Sequence, residues 1–281
     1  MATIKQALAH ADSLKSVSES GRLDAELLLA HVIGKPREYL FTWPDEALSA
    51  AELKAFDEYV GRRASGEPVA YILGRQAFWD FELRVNPSVL IPRPETELLV
   101  EAAIELLKPA HSAGANILDL GTGSGAIALA LASRNSHWQL TAVDNSESAL
   151  AVARENAQSL ALENIEFRKT SWCDGLPSEH FDLIAANPPY IEEGDSHLTQ
   201  GSLPFEPSSA LVARDNGLAD IRSIVEQARF CLRKNSWLLI EHGYLQREAV
   251  REILVEAGYA PVQCLSDLAG LDRMTKAQYR Q

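Results

Sequence analysis

The sequence predicts an α/β protein: a mostly parallel sheet with helices on both faces, preceded by a small helical bundle and a linking β-hairpin. Three observations carry this expectation. Helical periodicity dominates residues 1–75, residues 76–94 switch to a period of two, and from residue 116 short apolar strands alternate with amphipathic helices. A chain of 281 residues is long enough for two unequal domains. The expected divisions are a helical domain over 1–75, a hairpin linker over 76–94 and an α/β domain over 95–281.

In the helical stretch Ile4, Leu8 and Ala11 recur at helix spacing. Leu23, Leu27, Leu28, Val32 and Ile33 do so again, with Gly34 and Pro36 as the stop. Ser49 with Glu52 three residues on forms a capping box for a third helix, whose buried face would be Leu53, Phe56, Tyr59 and Val60. Alternating Phe81, Leu83 and Val85, a turn at Asn86-Pro87, and Val89-Leu90-Ile91 read as the hairpin. Ile91-Pro92-Arg93-Pro94-Glu95-Thr96-Glu97 then leads into an amphipathic helix through Leu107. Arg93, Glu95 and Thr96 read either as the opening turn of that helix or as a lid segment.

Beyond residue 116, strands are expected at 117–120, 140–143, 165–167, 181–186 and 237–241. Helices are expected at 126–132, 146–160, 221–232 and 248–257, and two late strands near Val262 and Thr275 form an antiparallel pair.

Composition narrows the function classes. Apolar residues make up 46% and charged residues 23%, ordinary for a globular chain. The net charge of −13 disfavours binding nucleic acid mainly through its phosphates, which needs clustered Lys and Arg. Cys173, Cys231 and Cys264 have no Cys-x-x-Cys spacing, so a reducing, cytoplasmic setting is expected, with each thiol a small buried hydrophobe. The seven histidines are dispersed and no metal site is expected. No apolar run approaches the ~20 residues that span a bilayer, and residues 1–14 lack a signal pattern, so no membrane association is expected.

Two turns carry the chemistry. Asp119-Leu120-Gly121-Thr122-Gly123-Ser124-Gly125 lies between a strand and a helix, where glycines let the backbone turn tightly and approach a ligand. Its Gly-x-Gly-x-Gly spacing differs from the Gly-x-Gly-x-x-Gly of dinucleotide binders, and with the acid two residues ahead it resembles the first motif of S-adenosylmethionine-dependent methyltransferases. Asp144, at the end of the next strand, is placed to accept both ribose hydroxyls of a nucleoside ligand.

The second turn, Asn187-Pro188-Pro189-Tyr190, follows the fourth strand. Carboxyl ends of strands in a doubly wound sheet face the ligand crevice. Two prolines fix two φ angles and remove two donors, which leaves acceptors: the Asn187 side-chain oxygen and the Pro188 carbonyl. Tyr190 adds a flat aromatic face. That set suits a planar NH2 group conjugated to a carbonyl or a ring. Two acceptors take its two hydrogens, hold the nitrogen in line with a methyl donor, and stabilise the charge that develops on it.

Together these turns are shared by methyltransferases acting on adenine N6 and on glutamine N5. The 91–97 block, Phe78-Trp79 and Val85-Asn86-Pro87 before it, and Phe205-Glu206-Pro207, Gly217-Leu218, Glu241-His242-Gly243 with Gln246, and Asp267-Leu268-Ala269-Gly270 with Asp272-Arg273 resemble the release factor glutamine methyltransferases of the PrmC/HemK type. The resemblance covers essentially the whole chain. It implies a Rossmann-like class I methyltransferase with a seven-stranded sheet, using S-adenosyl-L-methionine to methylate the glutamine of the Gly-Gly-Gln motif in bacterial peptide-chain release factors, a step in translation termination. It implies cofactor contacts from Gly121, Thr122, Gly123, Ser124, Gly125, Asp144, Trp172 and Asn187, with Trp172 flanking the adenine. It implies that Asn187, Pro188 and Tyr190 are catalytic and that they shape the amide slot with Pro189. Glu241 and His242 read as a structural pair, and the helical domain as a protein-docking module on a monomer with no direct nucleic-acid contact. On residues alone, an adenine-N6 methyltransferase and a non-catalytic cofactor-binding adaptor stay open.

Overall fold

A computed structural model describes residues 2–11, 14, 18–108 and 113–280. Residues 1, 12, 13 and 15–17, part of the stretch read as helical, lie outside the described residues. The chain forms two compact units, residues 1–75 with 199–205 and residues 76–198 with 206–281.

The first unit is built from α1 (Ile4–His10), α2 (Gly21–Ile33), α3 (Arg37–Thr42), α4 (Ala50–Ala64) and α5 (Val69–Leu73). Gly34 ends α2 in the left-handed region, φ 63°. The capping box opens α4: the Glu52 N–H donates to the Ser49 hydroxyl at 3.2 Å, and the Ser49 N–H to the Glu52 carboxylate at 2.7 Å. Ile4, Leu8, Leu28, Leu29, Leu40, Phe56 and Ile72 form the core. The apolar stripe expected on α2 is corrected in one respect. Leu23 and Leu27 are exposed, whereas Asp24 and Glu26 are buried. Pairing makes this tolerable: Arg63 reaches Asp24 at 2.8 Å, and Arg22 and Arg37 reach Glu26 at 2.8 and 2.9 Å.

The second unit begins with a hairpin that differs from the expected one. Its strands are β1 (Arg75–Phe78) and β2 (Phe81–Arg84), turning at Trp79 and Asp80, and residues 89–91 form no strand. The alternation at Leu83 and Val85 does mark buried positions, but the pairing strand lies upstream. Asn86 still turns the chain, its side-chain oxygen accepting the Ser88 N–H at 2.8 Å. The Ile91 N–H is taken by the buried Glu206 carboxylate at 3.0 Å rather than by a neighbouring strand.

After α6 (Glu97–Leu107), strands and helices alternate: β3 (Ala115–Leu120), α7 (Ala126–Arg134), β4 (Trp138–Asp144), α8 (Glu147–Ser159), β5 (Ile165–Lys169) and β6 (Phe181–Ala186). A short parallel pair, β7 (Ile191–Glu192) and β8 (Val212–Ala213), precedes α9 (Arg214–Gly217), α10 (Ala219–Cys231), β9 (Leu232–Glu241), α11 (Arg247–Glu256), β10 (Tyr259–Ser266) and β11 (Asp272–Tyr279). The main sheet has seven strands in the order β10-β11-β9-β6-β3-β4-β5. The last five of these run parallel, and β11 and β10 join antiparallel. Neighbouring residues supply opposite faces: Ile117, Leu183 and Leu239 enter one core, and Leu118, Ile184 and Leu238 the other. Burial on both faces explains why these strands read as continuous apolar runs.

The order reverses at β3, with β4 and β5 on one side and β6 and β9 on the other, so a crevice opens at the carboxyl ends of β3 and β6. Register sharpens this placement. Leu120 pairs with both Val143 and Ala186, and Ala186 pairs with Ile240. Gly121, Asp144, Asn187 and Glu241 therefore each lie one residue past a common row.

Candidate active site

The glycine turn is held from beneath by backbone bonds. The N–H groups of Gly121 and Thr122 both donate to the Val143 carbonyl at 2.9 Å. Gly121, Gly123 and Gly125 all have positive φ, which L side chains rarely adopt. A Cβ on Gly125 would also meet Leu129 Cδ1 at 2.9 Å. The Ser124 carbonyl is bound by the wholly buried Asn156 amide at 2.9 Å, which also bonds Arg84 of β2, so α8 ties the turn to the hairpin.

Asp119 is fully buried. Its Oδ2 accepts the Thr122 hydroxyl at 2.6 Å and the Ala128 N–H at 3.2 Å, while Oδ1 has no partner among the described residues. Burial pushes its pKa up to about 7, against the downward pull of those two bonds. Asp144 accepts the Gly123 N–H on one oxygen and the Ser146 N–H on the other, each at 2.9 Å. Each oxygen of a carboxylate has room for two bonds, so one further acceptor position remains on each.

These groups border a cavity of about 250 Å³ lined by Gly121, Thr122, Gly123, Ser124, Asp144, Trp172, Asn187 and Pro189. Residues 88–90, Pro92, Arg93 and Thr96 close one side, and Pro207, Ser209 and Ala210 contribute as well. The two flanks are clasped by the buried Glu206, which accepts from Arg93 and from the Ile91 N–H. The Trp172 ring lies 3.5 Å from where a Cβ on Gly121 would stand, so glycine at 121 keeps the ring face close to the turn. Gly125, Pro188 and Tyr190 do not line this cavity: Gly125 opens α7, and Pro188 is buried.

The Asn-Pro-Pro-Tyr turn is fixed at both ends. Asn187 Nδ2 donates to the Thr96 hydroxyl oxygen at 3.1 Å, and that hydroxyl donates to Glu241 at 2.7 Å. The Tyr190 hydroxyl donates to the other Glu241 oxygen at 3.2 Å. Neither Asn187 Oδ1 nor the Pro188 carbonyl accepts a hydrogen bond from a described residue. Burial raises the Tyr190 pKa, so the ring is a neutral phenol. The Gln246 amide donates to the carbonyls of Tyr190 at 3.0 Å and Asn216 at 3.1 Å, joining the turn to α9.

The sequence marks Glu241 only as half of a structural pair and Gln246 only within a family motif, gives no sign of Asn156, and leaves Thr96 between helix entry and lid. Each acts across 30 or more residues of chain, on Thr96, Ser124, Asn216 and Asn187, and periodicity gives no sign of such contacts. The one local signal was an acid ending the buried apolar run of β9. His242 is buried between the Gly243 carbonyl and Thr275, bonds that suit a structural residue, and burial lowers its pKa.

A sheet of this order, with a glycine turn and an Asn-Pro-Pro-Tyr turn side by side at its switch point, defines a class I methyltransferase. Residues 6–74 match the PrmC N-terminal domain and residues 111–276 a methyltransferase domain. A release factor glutamine methyltransferase of Pseudomonas aeruginosa is 52% identical over 95% of this chain and 96% of its own length. One from Escherichia coli is 44% identical over 98% of both. A methyltransferase structure from Pyrococcus furiosus, 17% identical, covers 80% of this chain and all of that one with a TM-score of 0.53, a likeness of fold alone. The chain belongs to the release factor glutamine methyltransferase family, enzymes that are S-adenosylmethionine-dependent.

Proposed function

We propose that this chain transfers a methyl group from S-adenosyl-L-methionine to the side-chain N5 of the glutamine in the Gly-Gly-Gln motif of bacterial peptide-chain release factors, acting on translation termination in the cytoplasm. The observation that carries it is Asn187, which borders the glycine-walled cavity with an Oδ1 that accepts no hydrogen bond from a described residue, followed by a Pro188 carbonyl that also lacks a described donor.

The residues present fit the cofactor. Asp144 keeps two acceptor positions for a ribose, Trp172 offers a ring beside Gly121, and the glycine turn leaves space a Cβ would occupy. When bound, the sulfonium supplies an electrophilic methyl group. Asn187 Oδ1 and the Pro188 carbonyl accept the two amide hydrogens of the substrate glutamine and so orient its nitrogen. As positive charge develops on that nitrogen, both oxygens stabilise it. Pro189 and Tyr190 bound the slot. The cation formed when the amide nitrogen gains the methyl group is a strong acid and loses one N–H proton to solvent, so no dedicated base is required.

The unit containing residues 1–75 is read as the docking module. Phe41 and Trp43 there are each 56% exposed, and solvent-facing aromatics are common at protein interfaces. A net charge of −13 favours encounter with the basic patches expected on proteins that work on ribosomal RNA, as release factors do. Deleting residues 1–75 is expected to abolish methylation of a folded release factor while cofactor binding stays measurable by calorimetry; full activity without them would refute the docking role.

Mass spectrometry of a release factor after incubation tests the reaction itself. One added methyl, about 14 Da, on the Gly-Gly-Gln glutamine is expected. A label found instead on duplex DNA would favour the adenine-N6 alternative.

A further inference from the structure

An asparagine side chain has two ends of opposite character. The acceptor role given to Asn187 works only if its oxygen, not its NH2, faces the substrate amide, because the wrong end would set N–H against N–H. Something must hold the amide against that flip.

The geometry points to Thr96 and Glu241 as positioning residues that fix which end of the Asn187 amide faces the substrate. The proposal rests on the functional reading above and deepens it. Thr96 and Glu241 are buried, 4% and 1% exposed. A hydroxyl has one proton, and an ionised carboxylate can only accept. With the Thr96 proton committed to Glu241 at 2.7 Å, Thr96 presents only lone pairs to Asn187, 3.1 Å away. The NH2 end is satisfied there. The reversed amide would press two acceptor oxygens together in a buried site, a costly arrangement. Glu241 also accepts from Tyr190, so one carboxylate orients both ends of the Asn-Pro-Pro-Tyr turn. It lies outside the residues lining the cavity and acts on the substrate only through these two side chains.

The arrangement depends on the Glu241 charge. Burial raises its pKa to about 7, opposed by hydrogen bonds from Thr96 and Tyr190 and by Arg273 of β11, and assisted by Glu95. Arg93 is the remaining charge on the 93–96 turn, and it is paired with Glu206. Once protonated, Glu241 can donate to the Thr96 oxygen, and the Thr96 hydroxyl is then free to turn and donate to the side-chain oxygen of a flipped Asn187 amide. The rate should therefore fall as pH drops through about 7. Stability has the opposite sign. A carboxyl whose folded pKa is raised binds its proton more tightly when folded, so its contribution is fullest below the ordinary carboxylate value and is lost as pH rises through about 7. Acid loss of rate through this group is then not acid unfolding.

The test uses the full-length protein, S-adenosylmethionine and an intact release factor, with Thr96→Val, Thr96→Ser and Glu241→Gln. Thr96→Val keeps the shape but removes the acceptor. It should lower kcat by about 10–100-fold with a much smaller change in cofactor affinity, since Thr96 only borders the cavity, and Thr96→Ser should restore most of the rate. Glu241→Gln cannot ionise and should flatten or move the acid limb of the pH–rate profile. Should the valine variant misfold, as its melting curve and cofactor affinity would show, the serine and glutamine variants still decide through rate and pH profile. A kcat for Thr96→Val within about twofold of wild type overturns the proposal. So do equal losses in the valine and serine variants, or an acid limb unmoved in Glu241→Gln. A wild-type protein that leaves the release factor unmodified overturns the functional reading instead.

Discussion

Replacing Asn187 by alanine is expected to lower kcat by about 10²–10³-fold, the range found when one preorganised hydrogen-bonding group is removed from a developing charge. The substitution leaves the Pro188 carbonyl as the sole acceptor for two amide hydrogens. The glutamine nitrogen could then rotate out of line, and half of the charge stabilisation would be gone. The turn itself should persist, because Pro188 and Pro189 fix its φ angles and Gln246 still binds the Tyr190 carbonyl at 3.0 Å. Cofactor affinity should change far less than kcat, since the glycine turn and Asp144 are untouched. Single-turnover kinetics with saturating release factor, alongside calorimetry of cofactor binding, separates the two. A variant that keeps a tenth or more of the rate would remove Asn187 from the proposed chemistry.

Gly217→Ala is expected to be the most destabilising small substitution near the site. Gly217 has φ 80° and follows Asp215 and Asn216, themselves at 56° and 55°. A Cβ there would overlap the Tyr190 carbonyl oxygen and lie 2.7 Å from Gln246 Nε2. Neither neighbour can yield freely, since each is bonded to the other. Overpacking against backbone, added to the φ penalty, should cost about 3 kcal/mol or more. For a chain of this size that lowers the melting temperature by about 6–12 °C. Gly194→Ala is the control, with a positive φ of 87° but nothing within 4 Å of a Cβ, and its loss should be about a third as large. Equal shifts for the two would mean that the contact with Tyr190 does not matter.

Local chemistry was legible in the sequence and distant chemistry was not. β6 was read at its true limits because all six residues are buried and Asn187-Pro188 stops the run. The capping box of α4 and the stop at Gly34 were legible because each is satisfied within a few residues. The hairpin was misplaced because its turn uses Trp79 at φ 57°, with no Gly or Asn to announce it. There the Trp79 N–H is held by Glu97 at 2.9 Å, a contact 18 residues away. The glycine turn, Asp144 and the Asn-Pro-Pro-Tyr turn could be named in advance because strand ends gather them. Thr96 and Glu241, 145 residues apart, meet only once the sheet is assembled.

The shared row of Val143, Leu120, Ala186 and Ile240 has a further consequence. Because ladder pairing sets where each strand stops, the working residues inherit their spacing from main-chain geometry and not from loop length. Loops beyond the row can lengthen or change composition without moving the reacting groups. One extra residue inside β6 would instead advance the strand by half a pleat, putting Ala186 where the asparagine's oxygen is needed.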